Sequence, residues 1–210
     1  MAALLVNGVL QCGGSLISQS VVLTAAHCFV GQHIITMKVI IGTSDLSYGY
    51  GQTFNVKKFI IHPNFNYESR DYDIGLLWLN GQVEFNEYVQ TIAMGYPGVD
   101  NPANFATICG FGGIDQFENK QSRLIYADIQ LWSRNYCNNY NLPFITDRMI
   151  CAGDPRGRGT CQGDSGGPLI VNGILMGVAS WIFGCGAVYR PSVFTSVTHV
   201  RGWIDQNLNV

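Results

Sequence analysis

The run Gly159-Thr160-Cys161-Gln162-Gly163-Asp164-Ser165-Gly166-Gly167-Pro168 sets a serine among glycines. Those glycines leave the Ser165 hydroxyl on a tight turn, open to an approaching molecule, and make it a candidate nucleophile. A serine hydroxyl is weak at neutral pH unless a general base takes its proton and a third group orients that base. Both partners lie upstream. Thr24-Ala25-Ala26-His27-Cys28 ends an apolar run on an imidazole, and Asp71-Tyr72-Asp73-Ile74-Gly75-Leu76-Leu77 sets Asp73 directly before another such run. The order along the chain is histidine, aspartate, serine. A serine in a glycine-rich turn is usually only a turn residue, and a histidine beside a cysteine is usually packing. The coincidence of all three segments is what points to acyl transfer.

Gly163-Asp164-Ser165-Gly166-Gly167 also satisfies the Gly-x-Ser-x-Gly elbow of α/β-hydrolases, in which the acid and then the base follow the serine. Here His199 precedes Asp205 downstream of Ser165, and no alternation of strands with long helices is visible. That reading fails. By contrast, the three motifs in their order and separations resemble the chymotrypsin–trypsin family of serine endopeptidases, from about Gln11 to the C-terminus. The resemblance implies His27 as general base, Asp73 as the carboxylate that orients it and Ser165 as nucleophile, with the backbone N–H groups of Gly163 and Ser165 as an oxyanion hole. His33 and His62 lie in polar or proline-adjacent sequence and are read as structural or solvent-facing.

The bulk composition narrows the field. A chain of 210 residues suffices for one large or two small domains, and a formal net charge of −2 without a basic run argues against nucleic acid as a partner. Only 12% of residues are charged, whereas 25 are glycine and 12% aromatic, which suits many short strands joined by tight turns. The expected class is all-β. No apolar run approaches the ~20 residues of a bilayer-spanning helix, so no membrane association is expected. Met1–Leu10 lacks the basic start of a signal peptide and is read as a core strand.

Short apolar runs recur at Val21–Ala26, Met37–Ile41, Val56–Ile61, Ile74–Leu79, Phe105–Ile108, Leu124–Leu131, Pro168–Val171, Ile174–Ser180 and Ser192–Val197. Helical spacing is seen only at Val200, Trp203, Ile204 and Leu208, which predicts a C-terminal helix. Tyr96–Pro102 is the best linker. The family resemblance then implies two six-stranded antiparallel Greek-key barrels, residues 1–98 with His27 and Asp73 and residues 99–210 with Ser165 and the helix. The active site would lie in the cleft between them.

Of seven cysteines, the resemblance pairs Cys12 with Cys28, Cys137 with Cys151 and Cys161 with Cys185. Persisting bridges imply an oxidising compartment and a secreted, extracellular protein. Cys109, in the apolar run Ala106-Thr107-Ile108-Cys109, is left over as a buried inert thiol.

In this family the segment before the nucleophile and two later segments form the substrate pocket, here Gly159, Thr160 and Gln162, then Ser180, Trp181 and Ile182, then Ser192. Gly159 stands where trypsin-like members carry an aspartate, so a lysine or arginine side chain would lack a counter-charge. Ile182 and Ser192 stand at walls that are often glycine and should narrow the pocket toward small aliphatic residues; the alternative is a pocket too obstructed for any side chain. Arg70 corresponds to a position that borders the next subsite and would favour an acidic or polar neighbour. The segment matching the family's calcium loop, Thr43–Gln52, supplies one carboxylate, Asp45, against the several a calcium site uses. No metal and no cofactor is expected. Partners would be protein or peptide substrates and protein protease inhibitors, acting on a monomer.

The family's aspartate before the nucleophile, here Asp164, pairs with a freed N-terminal ammonium. No matching segment stands before Cys12, so Asp164 is expected to turn outward and leave a zymogen-like chain. Two functions therefore stay open, a secreted serine endopeptidase and a catalytically inactive protease-fold binding protein.

Overall fold

The computed structural model describes residues 1–98, 104–114, 121–138, 145–185 and 187–208. The first closed barrel comprises β1 (Ala2–Val6), β2 (Val9–Leu16), β3 (Val21–Thr24), β4 (Met37–Ile41), β5 (Gln52–Ile61) and β6 (Gly75–Leu79). The second comprises β7 (Phe105–Gly110), β8 (Ile125–Trp132), β9 (Met149–Gly153), β10 (Pro168–Val171), β11 (Ile174–Trp181) and β12 (Ser192–Ser196). All pairings between these strands are antiparallel. Going around the first barrel the order is β1-β2-β3-β6-β5-β4, and around the second β7-β8-β9-β12-β11-β10. The two halves thus repeat one connectivity, and closure leaves neither with a free strand edge.

Local chemistry explains where the strands break. Met1–Leu10 is not one strand but a hairpin, because Asn7 (φ 50°) and Gly8 (φ 78°) both take the left-handed conformation of a tight two-residue turn. Asn172 and Gly173 repeat the device between β10 and β11 with φ of 50° and 78°. Strand β5 begins earlier than its apolar run, since Gln52–Asn55 alternates exposed with half-buried side chains along β4. Strand β9, Met-Ile-Cys-Ala-Gly, was hidden by its few β-branched residues. A short helix α1 (Arg134–Asn138) adds a second helix to the C-terminal one, α2 (Val197–Leu208). Part of the anticipated linker, residues 99–102, falls outside the described residues.

Inward-facing apolar side chains fill each barrel, as Leu23, Val39 and Leu77 do in the first and Leu169 and Phe194 in the second. Helix α2 joins the larger core: Val197, Val200 and Ile204 pack with Leu175 and Val178 of β11 and with first-barrel residues in one cluster. Arg201 secures that helix, donating to the carbonyls of Met94 (3.0 Å) and Gly95 (3.1 Å) and to Asp205 (2.8 Å). The apolar spacing of three and four found in the sequence is this buried stripe. Ile204 is fully buried, so Ile204→Ala should cost about 2–5 kcal/mol by removing packed methylenes and leaving a cavity. A thermal melt is expected to show a fall of roughly 5–15 °C, and an unchanged midpoint would show that α2 is not part of the cooperative core.

Candidate active site

Asp73 lies two residues before Gly75, the first residue of β6 and a glycine whose added Cβ would meet the Phe29 ring at 2.6 Å. Its carboxylate has no solvent exposure. Every group it touches is a donor: the His27 backbone N–H gives to Oδ1 at 2.9 Å, His27 Nδ1 is 2.7 Å from Oδ2, and the Ser180 hydroxyl gives to Oδ2 at 2.5 Å. An ionised carboxylate only accepts, so Nδ1 carries a proton, and in the neutral imidazole the lone pair then belongs to Nε2. The Asp73 carbonyl accepts from the Thr195 hydroxyl at 2.9 Å. Ser180 on β11 and Thr195 on β12 belong to the second barrel, so both barrels hold one first-barrel residue.

His27 sits in the 3₁₀ turn Ala26–Phe29 that follows β3. The disulfide Cys12–Cys28 ties that turn to β2. Cys137–Cys151 and Cys161–Cys185 are also formed, and Cys109 remains a free, half-buried thiol. Burial, the largest influence, raises the Cys109 thiol above its ordinary value, so little of the reactive thiolate is present at neutral pH. Cys12, His27 and Cys28 bring ligand-type atoms within 4.8 Å of one another, but the two sulfurs form the disulfide and offer no thiolate to a metal. Asp45 in the shortened calcium-loop segment accepts from Ser47 and Arg123.

Ser165 occupies the turn between Cys161 and Pro168. Gly163 (φ 99°) and Gly166 (φ 79°) adopt left-handed backbone there, and a Cβ on Gly166 would lie 2.0 Å from Thr24 Oγ1 and 2.5 Å from the Gly13 carbonyl. The turn is tied to its surroundings by backbone bonds: Gly13 N–H donates to the Ser165 carbonyl at 2.7 Å, and Gly166 N–H to Ala179 at 2.7 Å. The first of these crosses from β2 to the second barrel. Among the described residues, no acceptor takes the N–H of Gly163 or of Ser165.

Asp164 is not turned outward, contrary to the expectation from sequence. Its Oδ1 accepts from Gly112 N–H at 2.8 Å and its Oδ2 from Cys161 N–H at 2.9 Å. Two backbone donors supply the partners that the sequence alone does not reveal. Burial pushes the carboxyl above its ordinary value, opposed by those two hydrogen bonds.

A cavity of about 290 Å³ brings the pieces together. The first barrel contributes Gln11, Cys12, His27 and Arg70; the second contributes Thr160, Cys161, Gln162, Ser165, Ala179, Ser180, Trp181 and Ile182. His27 and Ser165 therefore share one cavity in the cleft, and among the described residues its lining includes no carboxylate. Gly159 and Ser192 stand behind it: the Ser192 hydroxyl accepts from Thr160 N–H at 2.9 Å, and a Cβ on Gly159 would come within 2.8 Å of that oxygen. Arg70 (φ 58°) lies with its guanidinium 4.3 Å from the Tyr67 ring centre, and its Nη1 is buried without a partner. His33 is exposed. His62 is buried, stacked on Tyr72 and packed against Trp203, and burial holds its imidazole below the ordinary value.

Two closed barrels of this connectivity, with an imidazole–carboxylate pair and a glycine-flanked serine on one interbarrel cavity, define a chymotrypsin-like fold. The protein-family model described as Trypsin matches residues 1–204. The chain is 36% identical over 214 residues to "Trypsin-3" of Salmo salar, covering 99% of this chain and 87% of that protein. It is 35% identical over 206 residues to "Vitellin-degrading protease" of Bombyx mori, covering 96% of this chain and 78% of that one. The solved structure of neuropsin, a serine protease expressed in mouse brain, superposes with a TM-score of 0.89 at 33% identity, over 99% of this chain and 93% of that chain. The chain belongs to the trypsin family of serine endopeptidases.

Gly110 exposes the dependence of the site on close backbone approach, since an added Cβ would sit 1.9 Å from Asp164 Oδ1. Gly110→Ala should push that carboxylate off its two donors and shift the Gly163–Ser165 turn. We expect a loss of kcat/KM of about 100-fold or more, measured on a peptide substrate. Full activity would show that Asp164 can move without disturbing the turn.

Proposed function

We propose that His27, Asp73 and Ser165 are a catalytic triad that hydrolyses peptide bonds through an acyl-enzyme, in a secreted protein. The observation that carries this reading is the two-point hold of the buried Asp73 on His27, on the same cavity as Ser165. His27 Nε2 takes the Ser165 hydroxyl proton as Oγ bonds to the substrate carbonyl carbon. The oxygen that becomes negative is met by the N–H groups of Gly163 and Ser165, each worth about 3 kcal/mol in such a role. The imidazolium then passes its proton to the departing amine as the C–N bond breaks. Water repeats the sequence in reverse roles: its proton goes to His27, its oxygen to the acyl carbon, and Ser165 leaves with the proton. The three disulfides favour an oxidising extracellular setting.

Small aliphatic side chains are the substrate residues that suit this cavity. Ile182 adds a branched side chain to a lining that, among the described residues, has no carboxylate to meet a lysine or arginine. Buried, unpartnered Arg70 Nη1 favours an acidic or polar substrate residue next to it.

The triad is tested by a serine-directed fluorophosphonate, which should label Ser165 stoichiometrically, while Ser165→Ala should lower kcat by roughly 10⁶-fold. Acidification should also lower kcat/KM, because an imidazole already protonated cannot accept the serine proton. Label on another residue, or turnover surviving in Ser165→Ala, would overturn Ser165 as the nucleophile, whereas neither label nor turnover in the unaltered protein would move the reading to the inactive binding protein.

The substrate preference has its own readout in a peptide library. Ala or Val before the scissile bond should be cut faster than Phe, with Lys and Arg slowest, and Ile182→Gly should raise cleavage after Phe by about tenfold. Arg70→Gln should remove any gain conferred by an acidic neighbour. A profile led by Arg or Lys would overturn the preference and leave the triad standing.

A further inference from the structure

The segment that delivers Asp73 is held in an unfavourable backbone conformation by a contact from the other barrel. Arg70 (φ 58°) and Tyr72 (φ 53°) both take left-handed backbone, on either side of Asp71. For residues with a Cβ each such conformation costs on the order of 1 kcal/mol and persists only where the surroundings over-determine it. What over-determines it here is Arg148. Its Nη2 donates to Asp71 Oδ2 at 2.6 Å and its Nε to Asp71 Oδ1 at 3.1 Å, the two-pronged geometry of a guanidinium on a carboxylate. Thr146 adds a hydroxyl donor to Oδ1 at 3.0 Å. The same guanidinium lies 5.0 Å from the Tyr72 ring centre, and that ring also stacks on His62 at 4.4 Å.

Residues 146–148 precede β9 in the second barrel, while Asp71 belongs to the first, so the pair is a bolt across the cleft. It stands two residues from Asp73, and the intervening Tyr72 carbonyl accepts from Ile74 N–H at 2.8 Å. Arg148 itself is anchored, because its carbonyl accepts from Ser196 N–H at 2.8 Å, at the end of the strand that holds Thr195 against Asp73. Arg148 also pairs with Asp147. Burial would raise the Asp71 carboxyl, but the hydrogen bonds from Arg148 and Thr146 and the charge of Arg148 more than offset it and leave it below the ordinary carboxylate value. The carboxylate is thus ionised and able to grip the guanidinium at neutral pH.

We propose that Arg148 is a positioning residue for the reaction: by clamping Asp71 across the interbarrel cleft it holds the left-handed Arg70–Tyr72 turn that aims Asp73 at His27. The inference rests on the triad reading above. Without the clamp the turn relaxes toward ordinary backbone angles, Asp73 swings and His27 loses its orientation, while the second-barrel walls of the cavity stay in place and Arg70 alone of the lining moves directly with the turn. The loss therefore belongs to the chemical step and not to binding.

The test compares the unaltered protein with Arg148→Ala, Arg148→Lys, Asp71→Asn and the Arg148→Ala/Asp71→Asn double variant. The readouts are the rate of phosphonylation by a small fluorophosphonate and kcat and KM on one peptide. Arg148→Ala and Asp71→Asn should each lower kcat and the labelling rate by about 10- to 100-fold with KM nearly unmoved. The double variant should be no worse than either single one, because both break the same contact. Arg148→Lys, which keeps the charge but not the fork, should recover only part of the rate. If Arg148→Ala does not fold, Arg148→Lys and Asp71→Asn carry the comparison. Arg201→Ala, which loosens α2 far from the cleft, should lower the melting temperature without slowing labelling. A melting shift in the Arg148 variants with labelling and kcat unchanged, additive single losses, or an equal labelling loss in Arg201→Ala would overturn the proposal. Failure of the unaltered protein to label at Ser165 would instead sink the triad reading beneath it.

Discussion

The buried Asp73 carboxylate is the constraint around which the molecule is arranged. Removing an ionised carboxylate from water costs several kcal/mol unless donors replace the lost hydration. Here the donors come from separate places: the backbone and ring of His27 in the first barrel, and the Ser180 hydroxyl from β11 of the second. The His27 donors are supplied within the first barrel, whereas the Ser180 hydroxyl reaches Asp73 only when the two barrels are docked. Docking therefore completes the donor set of Asp73 and fixes the carboxylate that orients His27. A carboxylate that accepts at every contact also fixes which imidazole nitrogen carries the proton, and so fixes which one faces the cavity.

The serine turn is held by different means. No ion pair fixes Ser165; the backbone does, through glycines that admit neighbours at distances a side chain would forbid. Gly166 fits only because nothing projects toward Thr24 and the Gly13 carbonyl, and Gly13 N–H then reaches the Ser165 carbonyl at 2.7 Å. The two barrels are therefore joined twice at the site, once by the groups around Asp73 and once by backbone at Ser165. Each join fixes one half of the chemistry, and displacement of either barrel disturbs both.

How much of this could be read from sequence depended on the range of the interactions. His27, Asp73 and Ser165 stand in short motifs whose neighbours make the local turn or strand end, so three windows sufficed to find them. The barrels followed from the spacing of apolar runs and the family resemblance, although an Asn7-Gly8 turn inside an apolar stretch was passed over and β9 was too poor in β-branched residues to stand out. Asp71 and Arg148 are 77 positions apart, and nothing local in either window marks the other. Asp164 shows the same limit from the opposite side. Its expected outward turn assumed a missing charge partner, whereas Gly112 and Cys161 offer backbone donors that every residue but proline carries and no sequence motif announces.

Asp164 also shows why a site of this kind sits close to a balance. Two backbone hydrogen bonds satisfy its oxygens, yet they do not neutralise its charge, and burial still drives the carboxyl above the ordinary value. Because the folded value is raised, the stability it confers is greatest below the unfolded value and declines as pH rises through the folded one. Holding the ionised form in this inward position therefore comes at some cost to the fold. That cost falls on the residue next to Ser165, in a turn where Gly163 and Gly166 impose little stiffness of their own. A favourable contact to Asp164 in its inward position would lower the free energy of the ordered turn directly, and a contact that drew it outward would withdraw the Gly163 and Ser165 N–H groups together. The order of the Gly163 and Ser165 N–H groups, the proposed oxyanion donors, is therefore coupled to one carboxylate, while the His27–Asp73 pair is anchored independently across the cleft.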